Sequence, residues 1–270
     1  MLTVLGDVGP WQGRIYLVGG LAPRYLAGRL PEGARAHIGT TDVDLVIGLT
    51  IDDETPETYR TLQNNLKKAG LQPSENSFCW TRDVQGVKVR VEFLSETDQV
   101  EAGRAFRPKG VDAGSKLGAL NVPGALLAPR DFIEYEIEGE RLDRGGRSRV
   151  RVRVANVLPY VVLKILAFQE RHENKDAYDL IFTLLHFGSG PHEAGRSAAG
   201  SPVAGHAQAV MALTLLEERF RDIGQDGPTA YAQFLSEPDD DDERARLRME
   251  AVATVREFLR GFREAVGDTP

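Results

Sequence analysis

Residues 39–46 read Gly-Thr-Thr-Asp-Val-Asp-Leu-Val, and the aspartates at 42 and 44 govern how the rest of the chain is read. The text turns from polar to apolar here, and Val43–Leu49 predicts a strand. In a strand, residues two apart point to the same face, so Asp42 and Asp44 present neighbouring carboxylates. Two such charges repel, and a divalent cation between them removes the conflict. Their hard oxygens suit Mg²⁺. The same pair also fits a turn or a strand cap, so its meaning depends on what surrounds it.

Upstream, Arg14–Val18 predicts a short strand that runs into Gly19-Gly20. A glycine pair lets backbone approach a phosphate, and a following helix N-terminus favours an anion. That helix is expected over Leu21–Leu30, ending at Pro31-Glu32-Gly33. The pattern is neither the Gly-x-Gly-x-x-Gly fingerprint nor a P-loop. Downstream, Pro56–Ala69 predicts a helix, with Tyr59, Leu62, Leu66 and Ala69 on one side and Gly70 at its end. Val87, Val89, Val91 and Phe93 then alternate with Lys88, Arg90 and Glu92, the period of a half-buried strand. Glu92 is either a solvated outward residue or, if this strand lies beside Val43–Leu49, a third carboxylate. Three carboxylates can hold two metal ions for in-line phosphoryl or nucleotidyl transfer. Phe132–Ile137 and Val150–Val154 predict two more strands, joined through Gly145-Gly146.

Near Asn156 the character changes. Helices are expected at 158–172, 176–187, 207–223, 228–236 and 241–265, with Pro159 in a first turn. Residues 188–206 are rich in Gly, Ala, Ser and Pro and predict a flexible loop. The acidic run Asp239–Glu243 favours a helix N-terminus. The expected organisation is an α/β domain over 1–155 and a helical domain over 156–270. Lys164 interrupts the apolar Val161-Val162-Leu163-Lys-Ile165-Leu166, and a cation in such a stretch needs a partner or a cleft. Arg171 follows seven residues later on the same helical face. Lys175 begins the next segment, where Asp176 and Asp179 are helical neighbours, serving either as caps or in a site.

The chain has 270 residues, 41% of them hydrophobic, and carries a net charge of −7. That is ample for a packed core and argues against a non-specific nucleic-acid coat. A single cysteine, Cys79, excludes an intramolecular disulfide and a cysteine zinc cluster; in Phe78-Cys79-Trp80 it reads as a small core residue. No apolar run is long enough to span a bilayer, and Met1–Arg14 lacks an export signal, so a cytoplasmic location without membrane attachment is expected. His37 precedes the aspartate pair as a lone histidine, while His172, His186, His192 and His206 show no ligand spacing. The arginines at 141, 144, 147, 149, 151 and 153 predict either a charge-protected edge hairpin or a ribbon for RNA phosphates. Arg104, Arg107 and Lys109 form a second basic group.

The order of strand, Gly19-Gly20, helix, Asp42-x-Asp44 and a later strand with Glu92 resembles the DNA polymerase β-like nucleotidyltransferase superfamily. The segment Lys164…Arg171…Lys175-Asp176-x-x-Asp179-Leu180 is similar to that of AbiEii-type nucleotidyltransferases, a group that includes the MenT-like toxins. The resemblance implies an α+β fold, with a mixed sheet and flanking helices followed by a helical C-terminal domain that contributes nucleotide-binding residues. It implies Mg²⁺-dependent transfer of a nucleoside monophosphate from an NTP at a two-metal site. Asp42, Asp44 and Glu92 would bind metal, and these three with Lys164 would be catalytic. Gly19, Gly20, Thr40, Lys164, Arg171, Lys175, Asp176 and Asp179 would serve the nucleotide. A tRNA 3′ end is the implied acceptor, and a toxin role with a cognate antitoxin the implied setting. Gly39 stands where many relatives carry Arg or Lys, and Gly20 where many carry Ser. Two rivals are transfer to a small molecule, as in aminoglycoside nucleotidyltransferases, and a non-catalytic binding protein of the same fold.

Overall fold

In a computed structural model, the described residues are 13–47, 56–84, 86–107, 117–140 and 146–267. The chain is α+β and forms two compact units. One contains the described residues up to Leu21 together with 39–155, and the other contains 22–38 and the described residues from Asn156 onward.

The first unit is built on a mixed, open sheet. Its strands are β1 (Ile15–Val18), β2 (Asp42–Ile47), β3 (Gln72–Pro73), β4 (Cys79–Val84), β5 (Val87–Ser95), β6 (Ala105–Phe106), β7 (Ala119–Asn121), β8 (Phe132–Glu140) and β9 (Arg147–Ala155). They lie in the order β3-β4-β5-β2-β1-β9-β8, with β7 beside the end of β5 and β6 beside β7. β2 is antiparallel to β1 and parallel to β5, and β1 is parallel to β9. The period-2 pattern sets the faces: Leu17, Val43, Leu45, Val91, Phe93, Val152 and Val154 are all buried. Leu62, Leu66 and Ala69, on or just past the helix Pro56–Lys68, are buried as well, while the side chain of Tyr59 lies outside the described residues. Burial of each large apolar side chain contributes about 1.5–3 kcal/mol.

β4 was not expected, because Cys-Trp-Thr-Arg-Asp-Val lacks clear alternation. It forms because Gly86, at φ +81°, closes a hairpin whose N–H donates to Asp83 Oδ1 at 2.9 Å. Trp80 then pairs with Val91 in the core.

The helix expected over Leu21–Leu30 is a single turn, α1 (Pro23–Leu26), and it belongs to the helical unit. The chain then bridges Ala27 to Phe187, and the Gly28 N–H donates to the His186 carbonyl at 2.6 Å. These main-chain partners replace the helix that local propensity suggested.

With Pro56–Lys68 as α2, the helical unit continues with α3 (Val157–Arg171), α4 (Asn174–His186), α5 (Pro191–Ala199), α6 (Ala207–Arg219), α7 (Asp226–Leu235) and α8 (Asp241–Val266). Asn156 caps α3 by accepting from the Val157 N–H at 2.8 Å, and Pro159 lies in the first turn. Asp240 caps α8 by accepting from the Glu243 N–H at 2.8 Å, so the acidic run starts that helix.

One expectation is overturned here. Residues 188–206 are not a loop throughout, because 191–199 form α5. The small residues serve close packing: a Cβ on Gly195 would lie 1.9 Å from the Phe258 carbonyl oxygen, and one on Gly261 would lie 2.2 Å from that of His192. The two glycines let the backbones of α5 and α8 touch, where composition alone suggested flexibility. Gly195→Ala should therefore lower unfolding stability by about 1–3 kcal/mol despite the better helix propensity of alanine, as measured by urea denaturation.

Candidate functional site

The carboxylates of the α/β unit lie on one sheet face. In the parallel pairing of β2 with β5, Asp44 stands directly opposite Glu92 and Asp42 opposite Arg90. The row continues to Val18 on one side and Cys79 on the other. Asp42, Asp44 and Glu92 are each half-buried, while the alternate residues Val43, Leu45 and Val91 are buried. Among the described residues, no three His, Cys, Asp or Glu side chains gather as ligands around one point. The three carboxylates thus share a face and a register. Burial pushes the Cys79 thiol up, in keeping with a core residue.

Two sequence motifs meet in this unit. Gly19 has φ +66°, and a Cβ there would lie 1.8 Å from Asp44 Oδ2. The Asp44 carboxylate rests on the bare Cα of Gly19, so both the turn and the contact require glycine. Gly20 is buried behind it. Thr40 Oγ1 accepts from the Asp42 N–H at 3.1 Å, which fixes the chain where β2 begins. Arg90, placed opposite Asp42, is the residue that sequence reasoning missed here. Its signal was the same alternation that singled out Glu92.

In the helical unit, Lys164, Arg171, Lys175, Asp176 and Asp179 come together. Lys164 is only 5% exposed. Its Nζ donates to Asp176 Oδ1 at 3.0 Å and to Asp179 Oδ2 at 2.7 Å. Arg171 grips Asp176 with two bonds, Nε to Oδ2 at 2.7 Å and Nη2 to Oδ1 at 2.8 Å. Lys175 Nζ donates to both oxygens of Asp179, at 2.8 and 2.9 Å. The partner that the apolar setting of Lys164 demands is therefore a pair of buried carboxylates. Arg171 and Lys175 remain 53% and 31% exposed at the side chain, so they are the cations that meet solvent.

Sequence reasoning missed three supports of this cluster. His37 Nε2 lies 2.9 Å from Asp179 Oδ1, across 142 residues of chain. Tyr160 Oη and Thr183 Oγ1 both donate to the Asp179 carbonyl, at 3.0 and 2.7 Å. No local pattern announces the bond of His37, whereas that of Thr183 reaches back one turn within α4. Burial alone would raise the Asp179 carboxyl, but the hydrogen bond with His37 and the charges of Lys164 and Lys175 win and hold it at about 2. The Asp176 carboxyl is likewise lowered: burial opposes the shift, and Arg171 and Lys164 outweigh it. Desolvation would lower Lys164, yet the two carboxylates raise it, so it stays charged.

The arginine ribbon has partners. Arg153 Nε donates to Glu134 at 2.8 Å, Arg149 lies 3.3 Å from Glu136 and 3.4 Å from Glu138, and Arg147 lies 3.1 Å from Glu138. The pairing register sets Glu134, Glu136, Glu138 and Glu140 opposite Arg153, Arg151, Arg149 and Arg147. Four acids facing four bases leave this face without net positive charge, which favours the edge-protection reading. The alternation of glutamates in Phe-Ile-Glu-Tyr-Glu-Ile-Glu-Gly-Glu was the signal for it. Arg104 and Arg107 are exposed, whereas Lys109, Arg141 and Arg144 lie outside the described residues.

Compared with known proteins, the chain matches no family model, no curated protein and no solved structure. Among the described residues no helix is long and apolar enough to cross a membrane.

Removing Lys164 strands two buried carboxylates. Lys164→Ala should lower unfolding stability by about 3–5 kcal/mol, seen as a large drop in melting temperature. An unchanged melting transition would mean that the lysine serves a ligand and not the fold. The pH dependence follows from Asp179: its folded pKa lies below the ordinary 3.8, so its stabilisation is fully present above about pH 4 and fades as pH falls toward 2. That amounts to about 2 kcal/mol. Asp179→Asn should flatten the acid limb of urea-unfolding curves in that window.

Proposed function

We propose that this chain is a metal-dependent nucleotidyltransferase, moving a nucleoside monophosphate from an NTP to an acceptor hydroxyl. The observation that carries the reading is the contact of Asp44 with Gly19, in register with Glu92. It ties the glycine pair, the Asp-x-Asp motif and the later carboxylate into one local arrangement, as the resemblance implies. The donor set fits a hard divalent cation, being all carboxylate oxygen on one face.

In this reading Asp42 and Asp44 hold the cation, with Glu92 beside them. A bound Mg²⁺ supplies positive charge against the negative charge that builds on the transferring phosphoryl oxygens. The acceptor oxygen forms a bond to the α-phosphorus, the bond to pyrophosphate breaks, and pyrophosphate leaves. The Glu92 carboxylate takes the proton of the acceptor hydroxyl. Gly19 keeps the space beside Asp44 free of side chain. In the helical unit, Arg171 and Lys175 are the exposed cations, and Lys164 orders them through Asp176 and Asp179; the resemblance assigns this cluster to the nucleotide.

The resemblance points to a tRNA 3′ end as acceptor, with a toxin role restrained by an antitoxin. A second reading, transfer to a small molecule, is favoured by one observation: the balanced Glu–Arg ladder on β8 and β9 offers no excess charge to an RNA backbone.

The test is to incubate the protein with each α-labelled NTP and Mg²⁺, in the presence of tRNA or of an aminoglycoside, and to follow the label. Label should pass to one acceptor, and Asp44→Asn should reduce transfer by roughly 100-fold or more with its melting transition retained. Normal transfer by folded Asp44→Asn, or no transfer by the wild type with any NTP, would sink the reading.

A further inference from the structure

A cavity of about 550 Å³ opens within the helical unit, in the size range of small-ligand sites, ~300–1,000 Å³. Four aromatic rings contribute to its wall, three of them buried and Phe234 half-buried, so Phe234 presents the most ring surface to it. Tyr178 and Phe182 come from consecutive turns of α4, and Tyr231 and Phe234 from α7. Tyr178 and Phe234 stack with centroids 4.7 Å apart and planes 28° from parallel. Residues of the 34–38 segment add a further wall. That segment is held in place: the Ile38 N–H donates to Tyr178 Oη at 3.0 Å, and His37 is bonded to Asp179.

The charges of the cavity cancel. Arg246 lies 3.6 Å from both Glu243 and Glu250, and Arg35 lies 3.9 Å from Glu243. The Tyr231 hydroxyl donates to Glu250 at 2.6 Å, and burial, followed by that bond, holds the phenol protonated. Burial also lowers His186 below its ordinary value, so the imidazole is uncharged at neutral pH. A balanced site rewards neither a free anion nor a free cation. Its guanidinium and carboxylate groups still offer donors and acceptors beside an aromatic surface. A flat, uncharged ring system with both kinds of group on its edge satisfies all of this, whereas an aliphatic ligand would offer no face for the ring of Phe234.

The geometry points to a binding site for a nucleobase-type heteroaromatic molecule of nucleoside size, walled by Tyr178, Phe182, Tyr231, Phe234 and segment 34–38. No residue lining it is assigned to the transfer reaction: the carboxylates at 42, 44 and 92 are absent from its walls, and so are Lys164, Arg171, Lys175, Asp176 and Asp179.

The experiment is calorimetric titration of the full chain, without magnesium, with guanosine, adenosine, cytidine and uridine. Ribose and cyclohexanemethanol serve as controls. At least one nucleoside should bind with a Kd of about 1 mM or below. Phe234→Ala should weaken that binding about tenfold or more, the usual loss when a stacking ring is removed, and Phe234→Tyr should restore it. Ala36→Trp, at an exposed position on the cavity wall, should block binding with little risk to the fold. The proposal fails if no nucleoside binds, if Ala36→Trp binds like the wild type, or if cyclohexanemethanol binds as tightly as the best nucleoside.

Discussion

A single ammonium group organises the helical unit. Lys164 sits in the most apolar part of α3, where a charge is costly unless compensated. Asp176 and Asp179 compensate it, and in doing so they fix α4 against α3. The two carboxylates then carry more negative charge than Lys164 balances, which draws in Arg171 and Lys175 from the surface. His37, from the segment 22–38, completes the set by bonding Asp179. Removing one partner strands charges that cannot reach water, so the group behaves as a unit.

The α/β unit rests on a different constraint, a contact that permits no side chain. Asp44 occupies the space a Cβ at residue 19 would need, so the β1 turn and the β2 carboxylate specify each other. The hydrogen bond from the Asp42 N–H to Thr40 and the register with β5 then settle which residues share the face. The result is a row of half-buried acids backed by a hydrophobic layer. Such an arrangement keeps carboxylates on one face against their repulsion.

Elements whose signal is local were legible in the sequence. Alternation gave the face of β5, Pro159 gave the start of α3, and the acidic run gave the start of α8. The need of Lys164 for a partner was readable from its apolar neighbours, though the identity of the partners was not. What failed was reading composition as flexibility. Gly195 sits in a stretch that reads as loop by composition, but its smallness answers the backbone of α8, and its neighbours Ala194 and Ala198 are buried. The arginines at 147–153 suggested a basic ribbon only while the glutamates of β8 were read separately. His37 was illegible because its bond to Asp179 spans the whole of the first unit's main segment.

That long span has a consequence for how the protein is made. Residues 22–38 leave the ribosome between β1 and β2 but belong to the helical unit. The bond from His37 to Asp179 spans 142 residues; at about 5–20 residues per second, synthesis takes roughly 7–30 s to deliver the partner. Throughout that interval the sheet can pair β1 with β2 while the intervening segment has nothing of its own unit to join. The partner of this strap on α4 is thus made only after the strands on both sides of the strap.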